Sequence, residues 1–250
     1  MKALNNLTVQ HRCLNCEFRA GNYFCHLPPP VLQLFESLKI TNSYPKGAKI
    51  FMEGQLSNGI YMLCQGRVKL STCSKDGKVI VLRIAEPGEV LGMSAAVSNS
   101  AYKATAEVLE SCQVNFVRKD DFLRFLEHNG EASLSAVRQL SRNYHAAHAQ
   151  IRLFGLSTSV ADKLAKLLLE WCERKGGAEY NVLLNISYTH EELAEMIGTS
   201  RETVTRILKD FRERDLITIK GSSLIVLDKA RLEAAIGVRH SSARQKANQA

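Results

Sequence analysis

Residues 186–217, ISYTHEELAEMIGTSRETVTRILKDFRERDLI, constrain the chain more than any other stretch. Thr189 followed by Glu192 forms a capping box, and Leu193, Met196 and Ile197 behind it make one apolar stripe of a short helix. Gly198-Thr199-Ser200 interrupts that pattern, and a second helix starts near Arg201. At about 100° per residue, Val204, Ile207, Leu208 and Phe211 gather in one arc, while Arg201, Glu202, Thr205, Arg206, Lys209 and Arg212 lie outside it. Two short helices round a glycine turn, the second apolar inside and basic outside, predict a helix-turn-helix. Such a helix fits the major groove of DNA, where arginine forks onto guanine O6 and N7 and glutamate accepts from cytosine N4. Arg201, Glu202, Thr205 and Arg206 are therefore the candidate base-contacting residues, with Thr189, Ser200, Thr203 and Lys209 the candidates for phosphate. Thr199 and Glu202 also fit a capping box, which would turn that carboxylate to the backbone instead of to a base. Residues 217–226, ITIKGSSLIV, read as a β-hairpin, the expected wing. A solvated charged face on a structural helix is the bland alternative. The gathering of Arg201, Glu202 and Arg206 at one helix end, with a hairpin behind, argues against it.

Upstream the texture differs. From about residue 44 to 120, short apolar runs are separated by turn signals such as Pro45-Lys46-Gly47, Asn58-Gly59, Gln65-Gly66, Asp76-Gly77 and Pro87-Gly88. With the alternation in Ile60-Tyr61-Met62-Leu63-Cys64, this predicts a compact antiparallel sandwich or barrel. After Gly130 the period lengthens. Val137, Leu140, Tyr144, Ala147, Ile151 and Phe154 recur at alternating spacings of three and four, an a/d seam. That seam is short enough to fit either pairing with a second copy of the chain or packing within its own domain. The predicted class is α+β. The expected segments are a cysteine-rich stretch at 1–30, a sensor domain at 31–130, a long helix at 131–156, a winged helix-turn-helix at 157–236 and a disordered basic tail at 237–250.

Composition narrows the function without choosing it. The chain's 250 residues, 45% hydrophobic and 23% charged, describe an ordinary globular protein and set aside disordered, collagen-like and disulfide-dense classes. No apolar run approaches the roughly 18–20 residues of a membrane helix, and the N-terminus lacks a signal-peptide stretch, so a cytoplasmic protein with no membrane partner is expected. The net charge is +8, yet most of the surplus lies before residue 157, outside the helix pair. Local placement, and not overall charge, carries the DNA reading. No Gly-rich nucleophile turn, His-x-x-x-His pair or paired-carboxylate motif supports an enzyme.

Of seven cysteines, Cys13, Cys16 and Cys25 crowd together near the N-terminus. Thiolates are soft ligands suited to iron–sulfur clusters or zinc, and the Cys-x-x-Cys start lets two sulfurs grip one metal. An iron–sulfur cluster is the first expectation. Zinc, helped by His11 or His26, is the runner-up, and a thiol switch or an inert segment remains open. A four-iron cluster needs a fourth, distant ligand. Cys64 alternates with Ile60 and Met62, and Cys112 with Val114 and Phe116, as small core residues would. Cys73 and Cys172 have no evident partner.

GTSRETVTRILKDFRERDLI strongly resembles the helix-turn-helix of the cyclic-AMP receptor protein and fumarate–nitrate reductase regulator superfamily. The resemblance runs over nearly the whole chain, as a glycine-punctuated β-roll, a long dimerisation helix and a winged helix-turn-helix. It implies a homodimer through residues 134–155 and double-stranded palindromic promoter DNA read by Arg201, Glu202 and Arg206. It further implies half-sites about one helical turn apart and RNA polymerase as a partner. Arg201-Glu202 with Arg206 looks more like the TGTGA-reading pattern than the TTGAT-reading one, and Thr205 departs from both. In the β-roll, Met93 stands where cyclic-AMP binders carry a ribose-binding carboxylate, and their Arg-Ser pair falls near Tyr102-Lys103. A cyclic phosphate needs a fixed cation and close donors, so conventional cyclic-nucleotide binding is not expected. Cys112 resembles the β-roll cysteine that completes the cluster of the oxygen-sensing branch, which would make Cys13, Cys16, Cys25 and Cys112 the ligands. The Cys16–Cys25 spacing is longer than in that branch. The resemblance thus implies a regulator of oxygen, nitric oxide or redox state. The alternative is a regulator answering to another small molecule in the β-roll, with structural zinc or inert cysteines.

Overall fold

The computed structural model describes residues 13–16, 23–77, 79–157, 159–174, 180–184, 188–220 and 223–235. His11, the basic tail and the tip of the expected wing lie outside them. The chain divides into two compact units, Met1–His148 and Ala149–Ala250.

In the first unit a 3-10 turn at Tyr23–His26 leads into α1 (Pro29–Leu38), whose prolines occupy the first turn, where their missing N–H groups cost nothing. The strands are β1 (Ile40–Tyr44), β2 (Lys49–Phe51), β3 (Gly59–Cys73), β4 (Val79–Ala85), β5 (Val90–Leu91) and β6 (Thr105–Arg118). They form one sheet in the order β1-β6-β3-β4, with β2 on β6 and β5 on β3. The long antiparallel ladder of β3 on β6 runs from Gly59 opposite Arg118 to Ser71 opposite Thr105, with bulges between Leu63 and Val68. Gly66 sits in that bulged stretch at φ 85°, and a Cβ there would lie 2.7 Å from that of Cys112, so no side chain fits.

The bent ladder separates two cores. One contains Tyr61, Leu63, Val68, Leu91, Tyr102, Cys112 and Val114. The other contains Phe24, Leu27, Leu32, Phe35, Ile60, Met62, Phe122 and Phe125, joined by Ala132 and Ala136. Helices α2 (Met93–Val97), α3 (Lys119–His128) and α4 (Gly130–Leu156) complete this part, α4 running on into the second unit. Gln139 of α4, 1% exposed, accepts from the Val90 N–H at 3.1 Å and donates to the Val90 carbonyl at 2.7 Å. The expected seam is divided. Leu140 packs on the α4 side of the Phe24 core, whereas Val137, Tyr144 and Ile151 are 61%, 61% and 68% exposed in the single chain.

The second unit holds α5 (Val160–Arg174), β7 (Tyr180–Leu184), α6 (His190–Ile197), α7 (Arg201–Glu213), β8 (Ile217–Lys220) and β9 (Ser223–Asp228). α5 starts on a reciprocal cap, with Ser159 N–H to Asp162 Oδ2 and Asp162 N–H to Ser159 Oγ, both 3.1 Å. The expected hairpin is present as β8 and β9, but as part of a three-stranded sheet in the order β7-β9-β8. Among the described residues no helix is long and apolar enough to cross a membrane.

Candidate nucleic-acid interface and thiol cluster

Helices α6 and α7 take their geometry from short-range chemistry. The Thr189 capping box is complete, with Glu192 N–H donating to Thr189 Oγ1 at 3.2 Å and Thr189 N–H donating to Glu192 Oε2 at 2.6 Å. α6 ends at Gly198 in the left-handed region, φ 69°, with Thr199 N–H returning to the Ala194 carbonyl. A Cβ on Gly198 would stand 3.2 Å from the Phe154 ring. Gly198→Ala should therefore cost about 1–2 kcal/mol, mostly as backbone strain. The check is a urea titration: a lowered midpoint at unchanged slope is expected, and an unaltered midpoint would contradict the strain.

α7 buries Val204, Ile207, Leu208 and Phe211 beneath the unit's surface and leaves Arg201, Glu202, Thr205, Arg206, Lys209 and Arg212 exposed. Its N-cap is Ser200, whose Oγ accepts from Thr203 N–H at 3.3 Å, so the Thr199–Glu202 capping box is replaced by one residue's shift. The Glu202 carboxyl is nevertheless turned toward this end. Hydrogen bonds from its own backbone N–H and from Ser200, with Arg201 adjacent, hold it below the ordinary glutamate range. Thr205 also differs from the helical-wheel expectation. Its hydroxyl donates to the Arg201 carbonyl at 3.0 Å, the back-bond available to a mid-helix threonine, and accepts from His190 Nδ1 at 2.8 Å. Thr205 thus ties α7 to the first turn of α6, leaving its methyl group for a base. His190 went unnoticed in the sequence because a histidine after an N-cap has no distinctive pattern. Lys209 pairs with Glu213 at 3.7 Å, both exposed, a pair worth little. The face can place arginine forks in a groove, with Thr189, Ser200, Thr203 and Lys209 beside it.

In the first unit, Cys13, Cys25 and Cys64 pack against the Phe24–Phe122 core. The Cys16 N–H turns back to the Cys13 carbonyl at 3.4 Å, as the two-residue spacing requires. Burial pushes the Cys64 thiol up to about 12, and Cys13, Cys25 and Cys16 are near enough to push it the same way. Burial likewise raises Cys13, against which Lys39 Nζ works by donating to Cys13 Sγ at 3.3 Å. The expected fourth member is elsewhere. Cys112 is fully buried in the other core, against Gly66 and near Tyr44, its thiol pushed up to about 12 by burial. The structure therefore places Cys13, Cys25 and Cys64 against one core and Cys112 in the other. Among the described residues, no group of three or more His, Cys, Asp or Glu side chains could hold a metal ion. Thiolates are the right donor type for a soft metal, but as arranged here these side chains do not form a ligand set.

Met93, which the resemblance sets against the ribose-binding carboxylate of cyclic-AMP binders, is 2% exposed. Tyr102 is buried, stacked on Phe51 at 4.1 Å between ring centroids, with its hydroxyl donating to the Gly59 carbonyl at 2.9 Å.

Comparison with known proteins agrees with this architecture. Residues 41–129 match the family described as "Cyclic nucleotide-binding domain", and residues 162–235 match "Crp-like helix-turn-helix domain". The chain is 27% identical over 215 residues to the "CRP-like cAMP-activated global transcriptional regulator" of Mycobacterium tuberculosis, covering 86% of this chain and 95% of that one. It is 27% identical over 202 residues to the "Anaerobic regulatory protein" of Bacillus subtilis, covering 79% and 83%. A CooA mutant from Carboxydothermus hydrogenoformans superposes with a TM-score of 0.69 at 20% identity, covering 79% of this chain and 88% of that chain, a likeness of fold. With a cyclic nucleotide-binding-like β-roll, a long helix and a Crp-like helix-turn-helix in succession, the chain has the domain make-up of Crp/Fnr transcription regulators.

Proposed function

We propose that the chain binds palindromic promoter DNA as a homodimer, reads it with α7, and senses oxygen, nitric oxide or redox state through an iron–sulfur cluster on its N-terminal cysteines. The DNA part is supported by the division of α7 into a buried apolar face and an exposed face carrying Arg201, Arg206, Lys209 and Arg212. Pairing of two copies is supported by Val137, Tyr144 and Ile151, exposed at seven-residue intervals along α4. RNA polymerase is the further partner the family likeness suggests.

Two relatives' names point to different signals, cAMP in one and anaerobiosis in the other. The burial of Met93 and the packing of Tyr102 favour the second, because neither supplies the carboxylate or cation that a cyclic nucleotide needs. The sensor reading is supported by the cysteine spacing of the N-terminal segment and by the packing of Cys13, Cys25 and Cys64 against one core. A bound cluster supplies a cross-link that oxygen or nitric oxide can destroy. Phe24 and Leu27, at the end of the cysteine segment, share a core with Ala132 and Ala136. Fixing or freeing that segment therefore acts directly on the packing of α4 and, through it, on the pairing of two copies.

The test is purification under nitrogen. A brown protein with iron and acid-labile sulfide is expected, whose shift of palindromic promoter DNA changes about tenfold or more on exposure to air. Colourless protein with one zinc per chain would replace the sensor by a structural metal. Absence of salt-sensitive binding to any palindromic promoter would sink the DNA reading.

A further inference from the structure

Along α4 the exposed side chains lie on a different seam from the one that sequence spacing suggests. Val137, Ser141, Tyr144, His148, Ile151 and Gly155 follow one another at intervals of 4, 3, 4, 3 and 4 residues, the heptad alternation, and all six are exposed. In the sequence-derived seam, by contrast, Leu140 packs on the Phe24 core and Phe154 is half-buried. The exposed stripe keeps Val137, Tyr144 and Ile151 and replaces Leu140, Ala147 and Phe154 by Ser141, His148 and Gly155. Apolar side chains left open in such a row mark a contact surface. The row suits a second copy of the chain. A parallel two-fold pairing sets each residue opposite itself, so the small Ser141 and Gly155 meet small neighbours and the two His148 rings meet each other. His148 takes an a-type position in this register, where a polar side chain fixes the alignment of two strands. Its ring is already held on its own helix by Tyr144, with centroids 4.2 Å apart. The titratable and charged groups on its side of α4 are Tyr144, His145 and Arg152, and a second copy adds the same three with its own His148. Beyond Glu131, α4 carries no Asp or Glu. A proton on His148 therefore finds no carboxylate on either helix. Two opposed imidazoles can share one proton between ring nitrogens, but a second proton sets like charges together in a site closed to water.

We propose that two copies of the chain pair in register along this stripe with their His148 rings opposed, so that acidification takes the pair apart. This rests on the homodimer reading and adds a proton to the ligands that govern it. The paired state binds fewer protons than two separate chains. Association is therefore fullest above the range in which histidine gains its proton, and is lost as the pH falls through that range. His145 lies at the edge of the stripe and serves as the contrasting residue.

Sedimentation of the full-length chain at about pH 7.5 and about pH 5.5 tests this, with thermal melts to establish that each copy is folded at both. The Kd of the wild-type pair should rise at least about tenfold on acidification, since dissociation takes up at least one proton. His148→Phe keeps an aromatic ring at an exposed position and should associate alike at both pH values. His145→Gln should keep the wild-type response. A wild type that is equally dimeric at both pH values overturns the proton linkage and leaves the homodimer reading standing. A response that survives His148→Phe, whether through acid unfolding or through another group, overturns the assignment to His148, as does a response lost on His145→Gln. A wild type that is monomeric at both pH values overturns the homodimer reading and the proposal with it.

Discussion

Glutamate at both Tyr144 and Ile151 is expected to leave a folded monomer that no longer shifts palindromic DNA. In the single chain these side chains are 61% and 68% exposed, so replacing them removes little internal packing. A two-fold interface, however, presents the same patch from both copies. Four carboxylates would enter one seam of apolar side chains, and each charge buried there without a partner costs several kcal/mol. Self-association should weaken by at least about a thousandfold, the equivalent of roughly 4 kcal/mol. Sedimentation at fixed concentration measures the mass, and a thermal melt confirms that each copy is folded. A variant that stays dimeric would remove these residues from the interface. A monomer that binds a palindrome as tightly as the wild type would remove the need for pairing.

Arg201→Ala should cost about 1–3 kcal/mol of specific binding, or roughly fivefold to 150-fold in affinity, and should relax the preference at one base position. The side chain is exposed at the first position of α7, where truncation disturbs no core. Lys209→Ala is the contrasting variant. A lysine on phosphate carries no sequence information, so its loss should weaken all sites alike and reduce the salt slope by about one. Competition shifts over half-site variants separate the two. An Arg201→Ala protein with undiminished discrimination would show that α7 is read against the backbone only.

The helix-turn-helix was legible because its signals are local. Thr189 and Glu192 cap each other three residues apart, and Gly198 reverses the chain where no other residue sits comfortably. Thr205 shows the limit of a helical wheel. Its position on the exposed arc is as expected, but its hydroxyl is spent on Arg201 and on His190, fifteen residues away. The cysteines show a larger limit. Alternation correctly marks both Cys64 and Cys112 as strand residues, yet it cannot say which side the N-terminal segment covers. Cys64 lies in a bulge and packs, as Cys13 and Cys25 do, against the Phe24 core, and a bulge breaks the alternation used to read a strand. β7 was missed for a similar reason. YNVLL is short, and it is held by pairing with β9 more than forty residues later. The α4 seam was half legible. Its spacing is real, but Leu140 is claimed by its own unit while Tyr144 and Ile151 are not.

The Gln139 amide bonds both backbone groups of Val90, as a neighbouring strand would, in a place closed to water. Turning α4 by a small angle would not stretch these bonds evenly. It would orphan a donor and an acceptor together, at about 1–3 kcal/mol for each buried group left unsatisfied. Intermediate rotations are therefore less stable than either engaged or fully re-paired arrangements. The helix is latched to the sheet and has no smooth hinge there. A gradual rise in whatever signal reaches it would emerge as molecules switching one by one between two positions, and a population of regulators would grade its response by number.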